Sequence, residues 1–217
     1  MTIVLLRVWL PDRPGALGEV ASAIGLAGGD VVGIEILERG GGRAIDELVV
    51  SLPEGVDVNA LVARVSAVAG ADIEDVRPVD DDEHDLGMAA VELAADLAEA
   101  SDRAVVLARL THAVHTTLAA DWAAIAASGG SLREVVGDAP SAPWLSAYLE
   151  GVRHVAGAGA GHGADDVAWA ELPGAGLDVV VGRSGRPLRD RERRFLRALA
   201  RVSAVRWSDL GARRRTA

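Results

Sequence analysis

The segment DRPGALGEV, which begins at Asp12, has residue types suited to holding a small charged molecule. Pro14 can occupy the first turn of a helix, where its missing N–H is not needed, and Gly15 lets a ligand approach the backbone closely. The N–H groups of Gly15, Ala16 and Leu17 would point outward at a helix N-terminus, which favours a carboxylate. Asp12 would pair with an α-amino group. The segment therefore predicts a site for a molecule that carries both groups, as an amino acid does.

The same segment also has a purely structural interpretation. PDRPG is a common composition for a turn between a strand and a helix, and Asp12 would then cap that helix. Turn chemistry explains every residue of the loop. The loop alone therefore does not establish a binding site. The strands and helices around it must distinguish a binding site from a simple turn.

Other candidate sites are weaker. His112 and His115 lie three positions apart on a predicted helix and share one face, a spacing that can hold a metal ion. The sequence places no third ligand, so no metal site is predicted. The run AGAGAGHG at 156–163 has GxGxxG-like spacing, but it neither follows a strand nor opens a helix. We predict a loop there, and no dinucleotide or other cofactor.

Composition excludes several classes of function. The chain has 217 residues, of which half are hydrophobic, so disorder of the whole chain is excluded. It contains no Cys, Lys or Gln, which excludes thiolate and Schiff-base catalysis and a Walker-type phosphate loop. No apolar run reaches the roughly 18 residues of a membrane helix, and the first residues lack the pattern of a signal peptide. These features predict a cytoplasmic protein with no membrane partner.

The charge distribution predicts how the chain is divided. The run DDDEHD clusters like charges that cannot pack together, so residues 80–86 are predicted to form an acidic linker. It separates a unit at 1–79 from one at 87–207, and a basic tail follows at 208–217. Twelve arginines against three acidic residues lie in 183–217. The formal net charge of the chain is −10, and these arginines alternate with apolar residues as on a solvated helix face. Nucleic-acid binding is therefore not predicted.

The first unit is predicted to have the order βαββαβ. Alternating and helical spacings of apolar residues indicate a strand at 3–10, a helix ended by Gly28, strands at 30–39 and 43–52, a helix ended by Gly70 and a strand at 73–78. This order is the ferredoxin-like split arrangement, in an α+β fold.

The first unit combines this order of elements with the loop D-R-P-G-x-L and the later segment G-G-D-V. In these features it resembles the ACT domain over residues 2–78. ACT domains are small modules that bind amino acids or related metabolites, usually across a dimer interface. Asp30 stands where the family commonly has Asn. The resemblance implies a ligand site formed by Asp12, Arg13, Pro14, Gly15, Ala16, Leu17, Asp30, Val31 and Val32.

The strand VVGIEIL is almost wholly apolar and would lie at an edge of the split sheet. A long apolar edge strand promotes aggregation unless it is paired. Pairing with the same strand of a second copy gives a two-fold dimer, and we predict a homodimer through 30–38. The alternative is that the second domain covers this edge.

The second unit is predicted to be α+β. Helices are predicted at 89–100 and 103–118, a hairpin at 121–136, a helix at 143–152, strands at 167–172 and 177–183, and a helix at 188–205. The second unit resembles a GAF-like domain over 87–207 in two segments, the one at 120–125 and the stretch VVVGRSGRPLRDRERRFLRALA. No Cys is present to attach a chromophore, and the resemblance implies no binding residue.

Together these features predict a non-catalytic sensor or regulatory protein that binds an amino acid at the interface of two ACT-like domains. Two alternatives remain open. One is a protein-interaction module without a ligand, and the other is a small enzyme with an unrecognised site in the second domain. No Ser/His/acid or metal-ligand constellation converges in the sequence, which disfavours the enzyme.

Overall fold

A computed structural model describes residues 1–79, 85–128, 130–157 and 165–216, and the chain divides into the units Met1–Asp85 and Leu86–Ala217. Residues 80–84 of the predicted linker, and residues 158–163 of the glycine-rich run, lie outside the described residues.

The first unit has the predicted order βαββαβ. Its elements are β1 (Thr2–Pro11), α1 (Ala16–Leu26), β2 (Asp30–Gly40), β3 (Arg43–Leu52), α2 (Val58–Ser66) and β4 (Asp72–Pro78). The strands form one antiparallel sheet in the order β2-β3-β1-β4. This order confirms the ferredoxin-like arrangement.

One face of this sheet packs on both helices. Successive side chains of a strand point to opposite faces, and Val4, Leu6, Val8 and Leu10 of β1 are buried in one cluster with residues of α1 and α2. The helices therefore cover the face of β1 on which these four apolar residues lie.

The opposite face of the sheet carries a buried ion pair. Arg7 is only 1% exposed, and its Nε and Nη2 donate to Glu47 Oε1 at 2.9 and 2.6 Å. Glu74 lies 3.8 Å from Arg7 Nη1 and accepts a hydrogen bond from Trp9 Nε1. The charge of Arg7 is thus neutralised by carboxylates of the two neighbouring strands.

β2 lies at an edge of the sheet and, among the described residues, pairs only with β3. Val32, Ile34 and Ile36 alternate along it and are 54%, 49% and 37% exposed. Ile34 lies opposite Leu48, which belongs to the helix-covered core. The edge therefore presents an apolar row that continues the core face of the sheet.

The second unit begins with α3 (Leu86–Ala98), α4 (Arg103–Thr117), β5 (Trp122–Ala127) and β6 (Leu132–Gly137). It ends with α5 (Ala142–Gly157), β7 (Val167–Leu172), β8 (Leu177–Gly182) and α6 (Asp190–Thr216). The antiparallel sheet has the order β6-β5-β8-β7. The α+β class is confirmed, while the GAF-like resemblance stays a prediction.

The sheet of the second unit is covered on both faces. Residues of α3, α4 and α6 form one cluster with Ala123, Ile125, Val179 and Val181 of the sheet, whereas Leu145 and Leu149 of α5 pack on the other face. Hydrogen bonds to backbone carbonyls also join α6 to the start of the unit. Arg206 Nη2 of α6 donates to Ala100 O, between α3 and α4, at 2.7 Å, and Arg103 Nε of α4 donates to Trp207 O at 3.0 Å.

The last helix was predicted wrongly in two respects. It does not end near Val205 but continues to Thr216, so the residues predicted as a tail are helical up to that point. The arginines of the predicted helix at 188–205 are also not all solvated, since Arg193 of α6 and Arg189, which directly precedes α6, are buried. Arg193 donates to Leu188 O and Val167 O at 2.9 and 3.0 Å. These side chains satisfy carbonyls where strands and helix meet.

A glycine on β8 is required by the packing of Trp122. A Cβ on Gly182 would overlap the indole ring of Trp122, and overpacking of a core costs about 1–3 kcal/mol. We expect Gly182→Ala to lower the free energy of unfolding by at least that amount, measured by urea denaturation. Gly151→Ala in α5 is the matched control, because its Cβ would meet open space. That variant should gain up to about 1 kcal/mol from helix propensity, and equal effects of the two changes would contradict the packing explanation.

Candidate functional site

The loop between β1 and α1 forms an open helix N-terminus. The N-cap residue is Gly15, with φ 89°, and no side chain in the described ranges caps the helix. A positive φ favours glycine, so Gly15 also fixes where the helix starts. Pro14 therefore lies before the helix instead of in its first turn, and Asp12 is not the cap. Any substitution of Gly15 would strain the loop, and its variants cannot isolate the effect of ligand access.

The backbone donors of this turn are only partly used. Ala16 N donates to Arg13 O at 3.3 Å, so this predicted donor has an acceptor within the loop. In the part of the chain that the structure describes, the N–H groups of Leu17 and Gly18 have no acceptor. Gly18 is exposed and Leu17 half-buried. Of the three predicted donors, only Ala16 therefore has an acceptor among the described residues, and Gly18 adds an open N–H group that was not predicted.

Charged side chains surround the turn. Arg13 Nη2 lies 2.9 Å from Glu19 Oε2, and Arg39 Nε lies 3.9 Å from Asp12 Oδ1. All four side chains are substantially exposed. Exposed pairs of this kind contribute about 0–1 kcal/mol to stability, so the arrangement leaves both acidic and basic groups able to turn toward a ligand.

A buried carboxylate lies close to this loop. Asp46 of β3 is 4% exposed, and its buried Oδ1 has no hydrogen-bond partner among the described residues. It lies opposite Val8, on the core face of the sheet. Burial raises the pKa of the Asp46 carboxyl, the Arg39 guanidinium acts against that shift, and the Asp12 carboxylate adds to it. Both of those side chains are therefore near enough to Asp46 to act on its charge.

An uncapped helix N-terminus and two carboxylates have complementary chemistry. The N–H groups and the helix dipole favour a negative group. The carboxylates of Asp12 and Asp46 favour a positive one, and a buried acceptor without a partner costs about 1–3 kcal/mol until a donor satisfies it. The arrangement can hold a zwitterion, with its carboxylate at α1 and its ammonium group at the two aspartates.

The second part of the predicted site is not beside the loop within one chain. Asp30 lies at the far end of β2 from Arg39, the residue that reaches Asp12. The connecting helix α1 has 11 residues and spans about 16 Å. Val31 packs on the core, whereas Val32 is exposed. One copy of the chain therefore does not bring the two predicted parts of the site together.

Asp46 was missed from the sequence, although a signal was present. Ala44, Leu48, Val50 and Leu52 are the apolar residues that alternate with the same period on β3, and Asp46 interrupts them. An acidic residue at a core-facing position of a strand is costly. Such an interruption marks a group that the fold retains for another reason.

The described residues contain no group of three or more His, Asp or Glu side chains placed to hold a metal ion. His112 is exposed and His115 half-buried on α4. The geometry of this helix offers them no third ligand from the described residues.

The order and pairing of the strands define a ferredoxin-like βαββαβ module. Comparison with protein families identifies it further: residues 4–70 match the family described as "ACT domain". The first unit of this chain is an ACT domain, as its loop and element order predicted.

Three solved structures resemble the chain at low similarity. A formyltetrahydrofolate deformylase from Pseudomonas putida KT2440 has 15% identity and a TM-score of 0.31 over 35% of this chain, which spans only 28% of the deformylase. A protein of unknown function from Galdieria sulphuraria has 16% identity and a TM-score of 0.33, covering 97% of this chain and 94% of its own. A protein described as a glycine cleavage system transcriptional repressor has 11% identity and a TM-score of 0.30, covering 86% and 84%.

Comparison of the sequence with curated proteins found no match. Within the described ranges, every helix is too short or too polar to span a lipid bilayer.

Proposed function

We propose that this protein is a non-catalytic regulator that senses an amino acid through its ACT domain. The ligand carboxylate lies at the N-terminus of α1, where Leu17 and Gly18 donate backbone hydrogen bonds. Its ammonium group lies between Asp12 and Asp46.

The observation that carries this proposal is the buried carboxylate of Asp46. Among the described residues its Oδ1 has no hydrogen-bond partner. Its pKa is raised by burial and also by the carboxylate of Asp12, which lies in the loop that leads to α1, and no described side chain caps that helix. A fold that needed only a turn here would tolerate an apolar residue at this position, because burying an unsatisfied polar group is unfavourable. A cationic group of a ligand satisfies Asp46 and leaves the ligand carboxylate for the helix.

The apolar row of β2 supports a site that is completed by a second copy. Antiparallel pairing of two β2 strands about a two-fold axis covers Val32, Ile34 and Ile36 and removes the open edge. In that arrangement Asp30 of the partner subunit approaches the end of β2 that carries Arg39. The two parts of the predicted site, which lie apart within one chain, then meet across the interface.

The dimer can be tested by placing a charge in the row. Ile34→Lys puts an ammonium group into the interface from both copies. Losing the burial of one isoleucine corresponds to about 1.5–3 kcal/mol, so we expect association to weaken by at least about ten-fold. Sedimentation velocity at micromolar concentrations measures this change.

Val135→Lys is the matched control, because Val135 is an exposed apolar residue on β6, the edge strand of the other sheet. It should leave association unchanged. A wild-type chain that sediments as a monomer at micromolar concentrations would show that β2 is not the dimer interface.

The sensing function is tested by a thermal-shift screen of the full chain against the twenty amino acids, followed by calorimetry on those that raise the melting temperature. We expect a subset of amino acids to stabilise the protein. If none does, the first unit is an interaction module without a ligand. Turnover of a stabilising amino acid, followed by mass spectrometry, would instead indicate an enzyme.

A further inference from the structure

A cavity of about 430 Å³ lies in the second unit, within the range of about 300–1,000 Å³ that small-molecule sites occupy. It is open to solvent on one side and is lined by residues of α4, the sheet, the turn between β7 and β8, and α6. Its apolar lining includes Leu107, Ala127 and Leu177. The cavity is separate from the loop and strands that form the proposed amino-acid site, since every lining residue lies between Arg103 and Trp207.

Two arginines line this cavity. Arg103 comes from α4 and Arg133 from β6, and Glu134 is the one acidic residue among the described residues of the lining. Among the described residues, neither guanidinium lies within 4.0 Å of a carboxylate. The whole chain carries 32 acidic side chains against 22 basic ones. Two guanidinium groups without an acidic partner at one cavity are therefore a local excess of positive charge in an acidic protein.

Arg103 is held in a defined orientation. Its Nε donates to Trp207 O at 3.0 Å, and its guanidinium carbon lies 4.5 Å from the centroid of the Trp207 ring. Stacking on an aromatic face fixes the guanidinium plane. Within the described ranges, its two terminal amino groups have no acceptor. An arginine fork oriented in this way matches the two oxygens of a carboxylate.

We propose that this cavity binds a small organic acid, namely a monocarboxylate with an apolar body. Arg103 receives the carboxylate, Arg133 adds a second positive charge, and the apolar body lies against Leu107, Ala127 and Leu177. Glu134 at the same cavity disfavours a dianion such as a phosphate. The proposal goes beyond amino-acid sensing and is independent of it, because a ligand of this class needs no ammonium group.

Calorimetry with the full chain tests the proposal, using benzoate as the probe and benzamide as its uncharged counterpart. We expect benzoate to bind at least ten-fold more tightly than benzamide and to shift the indole N–H resonance of Trp207 in the NMR spectrum. Equal affinities for the two compounds would overturn the proposal. Tighter binding of inorganic phosphate than of benzoate would overturn the assignment to a monocarboxylate.

Variants locate the site. Arg133→Ala should weaken benzoate binding by about ten-fold without loss of stability, because the Arg133 side chain is exposed. Arg103→Ala should abolish binding, but it also removes the packing on Trp207, so the Arg133 variant keeps the test independent of folding. Arg197→Ala, which removes an exposed arginine of α6 outside the cavity lining, is the control and should bind benzoate as the wild type does. Unchanged benzoate affinity in Arg133→Ala would place the ligand elsewhere. Benzoate lacks an ammonium group, so its binding does not depend on the amino-acid site of the ACT domain.

Discussion

Asp46→Asn should reduce the affinity for a stabilising amino acid by about ten-fold to a hundred-fold. A hydrogen bond between charged groups contributes about 1.5–3 kcal/mol, and the amide keeps the shape of the side chain while losing the charge that holds the ammonium group. Asp46 is almost fully buried, so water does not screen the interaction. Calorimetry with an amino acid found in the screen measures the loss.

The same variant should not lose stability, which separates a binding role from a structural one. Burial raises the pKa of Asp46 in the folded state. The folded protein therefore binds this proton more tightly than the unfolded chain, and the resulting stabilisation is lost as the pH rises through the raised pKa. At neutral pH the ionised carboxylate opposes folding, so Asp46→Asn is expected to unfold at a higher urea concentration than the wild type.

The affinity of the wild type for an amino acid should increase with pH, whereas the stabilisation that Asp46 contributes decreases with pH. An ammonium ligand needs the ionised form of Asp46, so affinity should fall as the pH is lowered through the raised pKa of this group. This pH dependence of the affinity should be weaker in Asp46→Asn.

Asp12→Asn should weaken binding less than Asp46→Asn does, because the Asp12 side chain is 41% exposed. Glu54→Gln, an exposed change, is the control for net charge. If Asp46→Asn binds as tightly as Glu54→Gln, Asp46 does not hold the ammonium group.

Arg183→Ala should cause the largest loss of stability among the arginine variants of the second unit. Arg183 Nη2 lies 2.7 Å from Glu192 Oε1, and both side chains are almost fully buried. Arg183 Nη1 also donates to Leu118 O at 2.6 Å and Nη2 to Pro187 O at 2.9 Å. Removing one partner of a buried pair leaves the other charge uncompensated and costs about 3–5 kcal/mol. Urea denaturation followed by circular dichroism measures this loss.

Two further variants make the effect specific to the buried pair. Arg197→Ala removes an exposed arginine of α6 and should change stability by less than about 0.5 kcal/mol. Glu192→Gln removes the opposite charge, and Arg189 N would still find an acceptor in the amide oxygen. It should therefore cost less than Arg183→Ala. Equal stabilities of the Arg183 and Arg197 variants would show that the buried pair contributes no net stability.

The architecture of the first unit was predictable because each strand and helix keeps a simple apolar period. Apolar residues alternate with other residues along β1 and recur every three to four residues along α1, and glycines follow the helices. The order βαββαβ can therefore be predicted from local patterns. The exact start of α1 was not predictable in the same way. Pro14 is compatible with a helix, and only the positive φ of Gly15 moves the start to Ala16.

The residues that sequence reasoning missed act over long separations in the chain. Asp46 approaches Asp12 only because β3 pairs with β1. The arginines near the C-terminal helix were predicted to form a solvated face. Their spacing along the sequence does not indicate that backbone carbonyls of other elements lie within reach of their side chains. Arg193, for example, reaches the carbonyl of Val167, 26 residues away. Local periodicity reports which face is apolar, and it does not report which polar groups are brought to that face by the tertiary fold.

The contact between the first and last helices of the second unit has a consequence during synthesis. α3 is made early, but the residues that cover it, including Phe195 and Leu199 of α6, are made about a hundred positions later. The first unit contains all its own strands by Pro78 and can complete its core while the ribosome is still translating the second. Until α6 emerges, the part of the α3 and α4 surface that α6 covers stays exposed and is a surface for chaperones. Stop codons before residue 195 should therefore yield an intact first unit attached to a segment that proteases degrade.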